Sequence, residues 1–168
     1  GMDIYWWNPV LDDIDDVDGL TRKAFNMNNV PCMTSGGNGG TAAWVFTHAI
    51  LGAKKIALTG MDFSYAPDTP LEKTQYYKEI IDIFGDNASD AFISVENPYL
   101  NETWFTDPAY YWYRQVFLEM AAEAPCQTIN CTEGGIIYGA SIKEEPLFEF
   151  LNNTEQEPND QASTQRKI

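Results

Sequence analysis

Basic side chains are scarce in this sequence: 10 lysines and arginines face 25 aspartates and glutamates, for a formal charge of −15 over 168 residues. Such a surface repels a phosphate backbone or an anionic membrane, so neither nucleic acid nor a membrane is expected as the main partner. A small nucleotide held by local backbone amides remains compatible. Cysteine is nearly as sparse. Cys32, Cys126 and Cys131 form no CxxC pair, which excludes a disulfide scaffold or zinc ribbon and reads as reduced thiols in a cytoplasmic protein. No secretory leader pattern opens the sequence, and no apolar run reaches the roughly 18 residues of a membrane-spanning helix. The single histidine, His48, lies on an apolar helix, and no GxSxG elbow occurs, so a Ser-His-Asp hydrolase lacks support. GxGxxG and GxxxxGK[ST] are missing too, which removes standard dinucleotide and P-loop chemistry. The acidic stretch Asp12, Asp13, Asp15, Asp16 and Asp18 has the wrong spacing for an EF-hand and reads as a solvated loop.

What is present is a foldable composition, 44% hydrophobic and 14% aromatic, in a length suited to one domain. The hydrophobic pattern places strands at 3–7, 30–33, 55–59, 91–95 and 127–131. Helices are expected at 20–27, 41–51, 71–84, 108–123 and 144–151. Pro70 and Gly85 bound the third of these, and Asp107-Pro108 supplies an N-cap and first-turn proline for the fourth. The helix at 41–51 is apolar on nearly every side and is expected to be buried. The stripe Tyr76, Tyr77, Ile80, Ile81 and Phe84 reads as core. Alternating strands and helices predict a three-layer α/β/α, Rossmann-like domain with a mainly parallel sheet over residues 1–151. Residues 152–168 are polar, lack aromatics and read as a disordered tail.

The densest functional signal is the βαβ block from Val30 to Asp62. Gly36, Gly37, Gly39 and Gly40 precede a helix, so several backbone N–H groups are free and a bulky anion can approach the main chain. With the helix dipole, the Ser35–Thr41 loop suits a phosphate or carboxylate. Ligands of a parallel sheet lie beyond the carboxyl ends of the strands, so Ser35 and Asp62 are expected on one rim. Asp62 suits a metal or a ribose hydroxyl, or caps a turn; Tyr65 adds a stacking or hydrogen-bonding group beside it. Glu133, in Thr132-Glu-Gly-Gly after the last strand, is expected on the same rim. Asp107, followed by Tyr110, Tyr111 and Tyr113, is a candidate for a further pocket wall.

Four segments together resemble the MptE-like 6-hydroxymethylpterin pyrophosphokinase family: Ser35-Gly-Gly-Asn-Gly-Gly-Thr-Ala-Ala, Gly52 to Tyr65, Thr106 to Arg114, and Asn130-Cys-Thr-Glu-Gly-Gly. That family is in turn similar to motility accessory factors that glycosylate flagellin and, remotely, to bacterial sialyltransferases with a Rossmann-like core. The resemblance implies a nucleotide-dependent transferase, moving either diphosphate from ATP to a pterin alcohol or a sugar from a nucleotide sugar. It implies Ser35, Gly36 and Asn38 at the nucleotide phosphates, with Gly37 and Gly39 in the same loop. Asp62 and Tyr65 would border the nucleotide's sugar and Glu133 would lie on the acceptor side, which makes Asp62 and Glu133 the catalytic candidates; Asp107 and Tyr110, read from the residues themselves, are expected on the substrate side. A pyrophosphokinase would need Mg2+, with Asp62 as its ligand. Family members carry further strands upstream, so a domain truncated at its N-terminus is expected. A non-catalytic binding or assembly domain that forms a homo-oligomer is a further expectation.

Overall fold

The computed structural model describes residues 4–139 and 141–155. Its organising element is the helix α4, Pro108–Glu123. Asp107 caps it, accepting from the Tyr110 N–H at 2.8 Å, and Pro108 fills a first-turn position whose N–H would have no helical partner. Arg114, Phe117 and Ala121 form its buried stripe at helical spacing, and Phe117 is fully enclosed. Around Phe117 pack Trp44 at 5.1 Å and Phe63 at 6.2 Å between ring centroids. Val45, Ile56, Leu58, Ile136, Ile137 and Ile142 complete the core.

The core rests on a parallel three-stranded sheet: β3 (Lys55–Leu58), β6 (Gln127–Asn130) and β7 (Ile142–Glu144), in the order β3-β6-β7. Ile56 lies opposite Thr128, and Thr128 opposite Ile142. The Trp44 indole N–H donates to Thr128 Oγ1 at 3.1 Å, which satisfies the helix residue inside the core. A second parallel pair joins β1 (Asn8–Pro9) to β2 (Cys32–Met33). The third unit is an antiparallel hairpin, β4 (Ile93–Asn97) with β5 (Glu102–Thr106). Between these run α1 (Leu20–Asn28), α2 (Gly39–Val45), α3 (Tyr77–Phe84) and, after β7, α5 (Leu147–Glu155). Among the described residues the fold is thus mixed α/β with small sheets of two, three and two strands, rather than one continuous, mainly parallel sheet. None of the described helices is long and apolar enough to cross a membrane.

Several expectations shift. Residues 4–7 make no strand: Tyr5 and Trp6 are 71% and 75% exposed, and pairing starts at Asn8, whose N–H donates to the Pro31 carbonyl at 2.8 Å. The helix at 41–51 is buried only through Val45. Its continuation, Phe46–Ile50, is a π-helical turn, with Thr47 Oγ1 bonded back to the Ala43 carbonyl at 2.7 Å, and Ile50 and Leu51 stay exposed. The helix at 71–84 is interrupted into a 3-10 turn, Leu71–Lys73, and α3. The cause lies outside the segment: the Gln75 N–H is taken by the Tyr65 hydroxyl at 3.0 Å instead of a helical carbonyl. The closing helix begins at Leu147, because residues 142–144 pair with β6. Of the expected tail, residues from 156 onward lie outside the described residues, while 152–155 continue α5.

Within the acidic stretch, Asp12 has a structural task. Its carboxylate accepts from the N–H groups of Leu20 and Thr21, so it caps α1 across the loop. Its bonds to Thr21 hold its pKa below the usual value. The three cysteines are free.

Candidate functional site

The glycine turn joins β2 to α2, and Asn38 organises it. Asn38 Oδ1 accepts from the Thr41 N–H at 2.9 Å, and its amide donates to Thr41 Oγ1 at 2.9 Å and to the Gly36 carbonyl at 3.3 Å. Three of the four glycines are closely packed. A Cβ on Gly36 would lie 2.3 Å from Thr41 Cγ2, one on Gly37 2.8 Å from the Trp112 ring, and one on Gly40 2.8 Å from Met61 Sδ. Gly37 also has φ +82°, which side chains disfavour. Gly39 differs. It is helical, and a Cβ there would meet nothing within 4 Å.

Gly39 opens onto a cleft of about 620 Å³, within the size range of small-molecule sites. It is lined by residues 37–40, by residues 60–65, which follow β3, and by Gln75, Tyr76, Tyr110 and Tyr113. Gly37 and Asp62 both line this cleft, whereas Ser35, expected on one rim with Asp62, does not. Asp62 is steered there by its neighbours. Phe63 adopts φ +51°, held by burial against Phe117 and by Thr106 Oγ1, which donates to its carbonyl at 2.8 Å. The Ile136 N–H donates to the Asp62 carbonyl at 3.0 Å. Asp62 Oδ1 is shielded from solvent and has no hydrogen-bond partner, and burial raises the carboxyl's pKa. A buried acceptor without a partner costs stability, so a donor or cation from outside is its natural complement.

The aromatic wall is locked by its own contacts. Tyr65 and Tyr110 stack at 5.3 Å, and Tyr110 meets Tyr76 edge-on at 5.7 Å. The Tyr65 hydroxyl donates to Asp107 Oδ2 at 2.6 Å, and burial, reinforced by that bond, holds its pKa far above the ordinary phenol value. Tyr76 and Tyr113 share a hydroxyl contact of 3.3 Å, which with burial pushes Tyr76 up to about 12. Tyr65 and Tyr76 thus stay neutral at physiological pH, and their hydroxyls are engaged within the wall. Among the described residues, no lysine or arginine lines the cleft.

Not every expected residue is here. Asp107 is fully buried and does not line the cleft: one oxygen caps α4 and the other holds Tyr65, so it supports the wall, and half-buried Tyr110 is the member of that pair that lines the cleft. Replacing Asp107 by alanine removes a cap and strands the Tyr65 hydroxyl, so chemical denaturation should show a loss of about 2–4 kcal/mol. A loss below about 0.5 kcal/mol would show that neither bond stabilises the fold. Glu133 is exposed, with φ +58°, and is not among the cleft residues, although its turn packs on the Asp62 backbone. Ser35 and Gly36 line a second groove across the glycine loop, while Gly37, Asn38 and Gly39 line both cavities. Gln75 and Tyr76 were not foreseen as site residues. Arg114 was also missed: its Nε donates to the Ile136 carbonyl at 2.6 Å, and its guanidinium lies 4.9 Å over the Tyr138 ring. It clamps the segment that supports Asp62.

No protein-family model, curated protein or solved structure matches the chain. The site must speak through its own chemistry. For a metal, the described residues contain no cluster of three or more His, Cys, Asp or Glu side chains. Asp62 alone fits only the mode in which Mg2+ takes one carboxylate from the protein and its other ligands from substrate phosphates and water.

Proposed function

We propose that the chain is a nucleotide-dependent transferase domain whose donor nucleotide occupies the cleft between the glycine loop and the tyrosine wall. The ring system of the nucleotide packs on the wall, a ligand hydroxyl or amine donates to the Asp62 carboxylate, and the phosphates follow the backbone at Gly37–Gly39. The observation that carries this reading is Gly39: it faces the cleft where neither packing nor a left-handed backbone asks for glycine. Bare backbone at such a point suits a ligand that approaches closely. The two parallel strand groups, with α2 following β2 and α4 preceding β6, support a Rossmann-like three-layer arrangement. Transfer would rest on positioning and on stabilisation of the departing phosphate. Mg2+, if the ligand brings it, would neutralise those phosphates, with Asp62 as the protein ligand.

Between diphosphate transfer from ATP and sugar transfer from a nucleotide sugar, the lining favours the nucleotide sugar. No basic side chain compensates a triphosphate there, and the chain as a whole carries −15. A non-catalytic assembly domain is supported by a different observation, the exposed apolar residues Ile4, Tyr5, Trp6 and Met27. Light scattering separates it, since that reading requires self-association.

The test is titration calorimetry with ATP, GTP, CDP-sugars and UDP-sugars, with and without Mg2+, on the chain and on Gly39→Ala. One nucleotide should bind, and Gly39→Ala should weaken it about tenfold, the effect of losing roughly 1.4 kcal/mol of contact. The same variant should melt no lower than the parent, because alanine replaces glycine inside a helix, a gain of about 0.5–1 kcal/mol. No heat from any of these ligands at millimolar concentration would defeat the proposal.

A further inference from the structure

We infer that the groove between α3 and the first turn of α4 is a docking surface for a protein partner, a cationic amphipathic helix that inserts a large apolar side chain. The groove measures about 340 Å³ and is lined by Tyr76, Ile80, Ile83 and Phe84, at helical spacing, with Pro108 and Ala109. Only part of the α3 stripe expected as core is enclosed. Ile80 is buried, but Phe84 is 45% exposed, and Ile83 beside it 74%. Pro108 has no N–H to satisfy, and the Asp107 carboxylate, which also borders the groove, is already bonded to the Tyr110 N–H and the Tyr65 hydroxyl. An apolar anchor there leaves no polar group stranded.

Charge decides what covers this face. Over residues 77–91 one lysine stands against four carboxylates; Glu79 lines the groove, and Asp82 and Asp86 are exposed on the turns that follow. Among the described residues, none of these three forms an ion pair. A second copy packed about a twofold axis would set the same acids opposite themselves, and an anionic membrane would be repelled by them. A segment whose lysines or arginines flank an apolar stripe meets both demands, the apolar slot and its acidic rim. Because α3 extends about 12 Å, a partner helix of about three turns matches it. The groove shares only Tyr76 with the nucleotide cleft, so binding here does not depend on the transferase reading.

The full chain would be titrated into dye-labelled synthetic peptides and followed by fluorescence anisotropy. One peptide is a leucine-lysine helix with a single apolar face, the second carries glutamate in place of every lysine, and the third is a scrambled leucine-lysine sequence without a face. The faced cationic peptide should bind saturably, about tenfold more tightly than either of the others. Ile83→Asp should weaken it about tenfold, although the added carboxylate by itself attracts a cation. Ile50→Asp introduces the same charge at a residue that is 56% exposed and does not line the groove, and it should not weaken binding. The combined variant Glu79→Gln, Asp82→Asn and Asp86→Asn guards against a folding failure at Ile83: it leaves the apolar surface in place and should flatten the salt dependence of binding. Absence of binding, equal binding of the scrambled peptide, or an affinity untouched by both Ile83→Asp and the neutralised rim overturns the inference. A dimer that forms with rising protein concentration and is abolished by Ile83→Asp would give the groove to a second copy and overturns it equally.

Discussion

Gly135→Ala should cost roughly 3 kcal/mol or more, whereas the same substitution at Gly39 should cost nothing. Gly135 has φ +75°, and a Cβ built on it would lie 2.5 Å from Asp62 Cα and 2.6 Å from the Asp62 carbonyl oxygen. Both obstacles are backbone, so no rotamer change relieves them. The left-handed conformation adds about 1–2 kcal/mol by itself. The Ile136 N–H bond to the Asp62 carbonyl is the next contact along, and the Arg114 bond to the Ile136 carbonyl follows it. Moving the turn to accept a methyl group would loosen both. For a chain of this size 3 kcal/mol corresponds to about 10 °C in Tm, which calorimetry or circular dichroism resolves easily. Since the turn holds Asp62, nucleotide affinity should fall with stability. A variant that melts with the parent would mean that the 132–136 turn does not press on Asp62 in solution.

The two glycine substitutions also show what the sequence could reveal. It could say that residues 36–40 were glycine-rich ahead of a helix, a pattern that a tight turn and an anion site share. Only coordinates separate Gly36, Gly37 and Gly40, which have neighbours where a Cβ would go, from Gly39, which has none. Signals carried by neighbouring residues were legible: α4 runs over 108–123 as expected, because the cap, the proline and the buried stripe lie within that segment. Signals that depend on distant partners were not. Tyr76 belongs to a helical stripe in sequence, but Tyr65 takes the Gln75 N–H and breaks the helix just before it, so Tyr76 turns into the cleft. Strand β5 was not expected, because its pairing with β4 and its bridge from Phe105 to Tyr65 are contacts that periodicity does not encode. Asp107 carried both of its readings in sequence, the cap and the pocket. Burial selects the cap.

Asp62→Ala should move stability and binding in opposite directions. The carboxyl is pushed above its ordinary value of 3.8 by burial, so between that value and the raised one the folded state holds more protons than the unfolded. Stability conferred by the neutral carboxyl is therefore lost as pH rises through this window, and it stays lost above it. Alanine removes the penalty. The variant should match the parent below pH 3.8, apart from any small packing change, and melt higher at neutral pH. Because Asp62 Oδ1 has no partner, the substitution strands no donor within the protein. Binding should respond oppositely: a hydrogen bond to an ionised acceptor contributes about 1.5–3 kcal/mol, so nucleotide affinity should drop about ten- to a hundredfold. Asp62→Asn separates the two ways a ligand can use the site. It keeps an acceptor oxygen, so a ligand hydroxyl should bind it with an intermediate loss, whereas assistance by Mg2+ requires the charge and should vanish. Denaturation across pH and calorimetry with and without Mg2+ measure both on the same samples. If Asp62→Ala lowers neutral-pH stability and leaves nucleotide affinity intact, the carboxylate is satisfied within the protein, and the cleft has lost the one group that asks for a ligand.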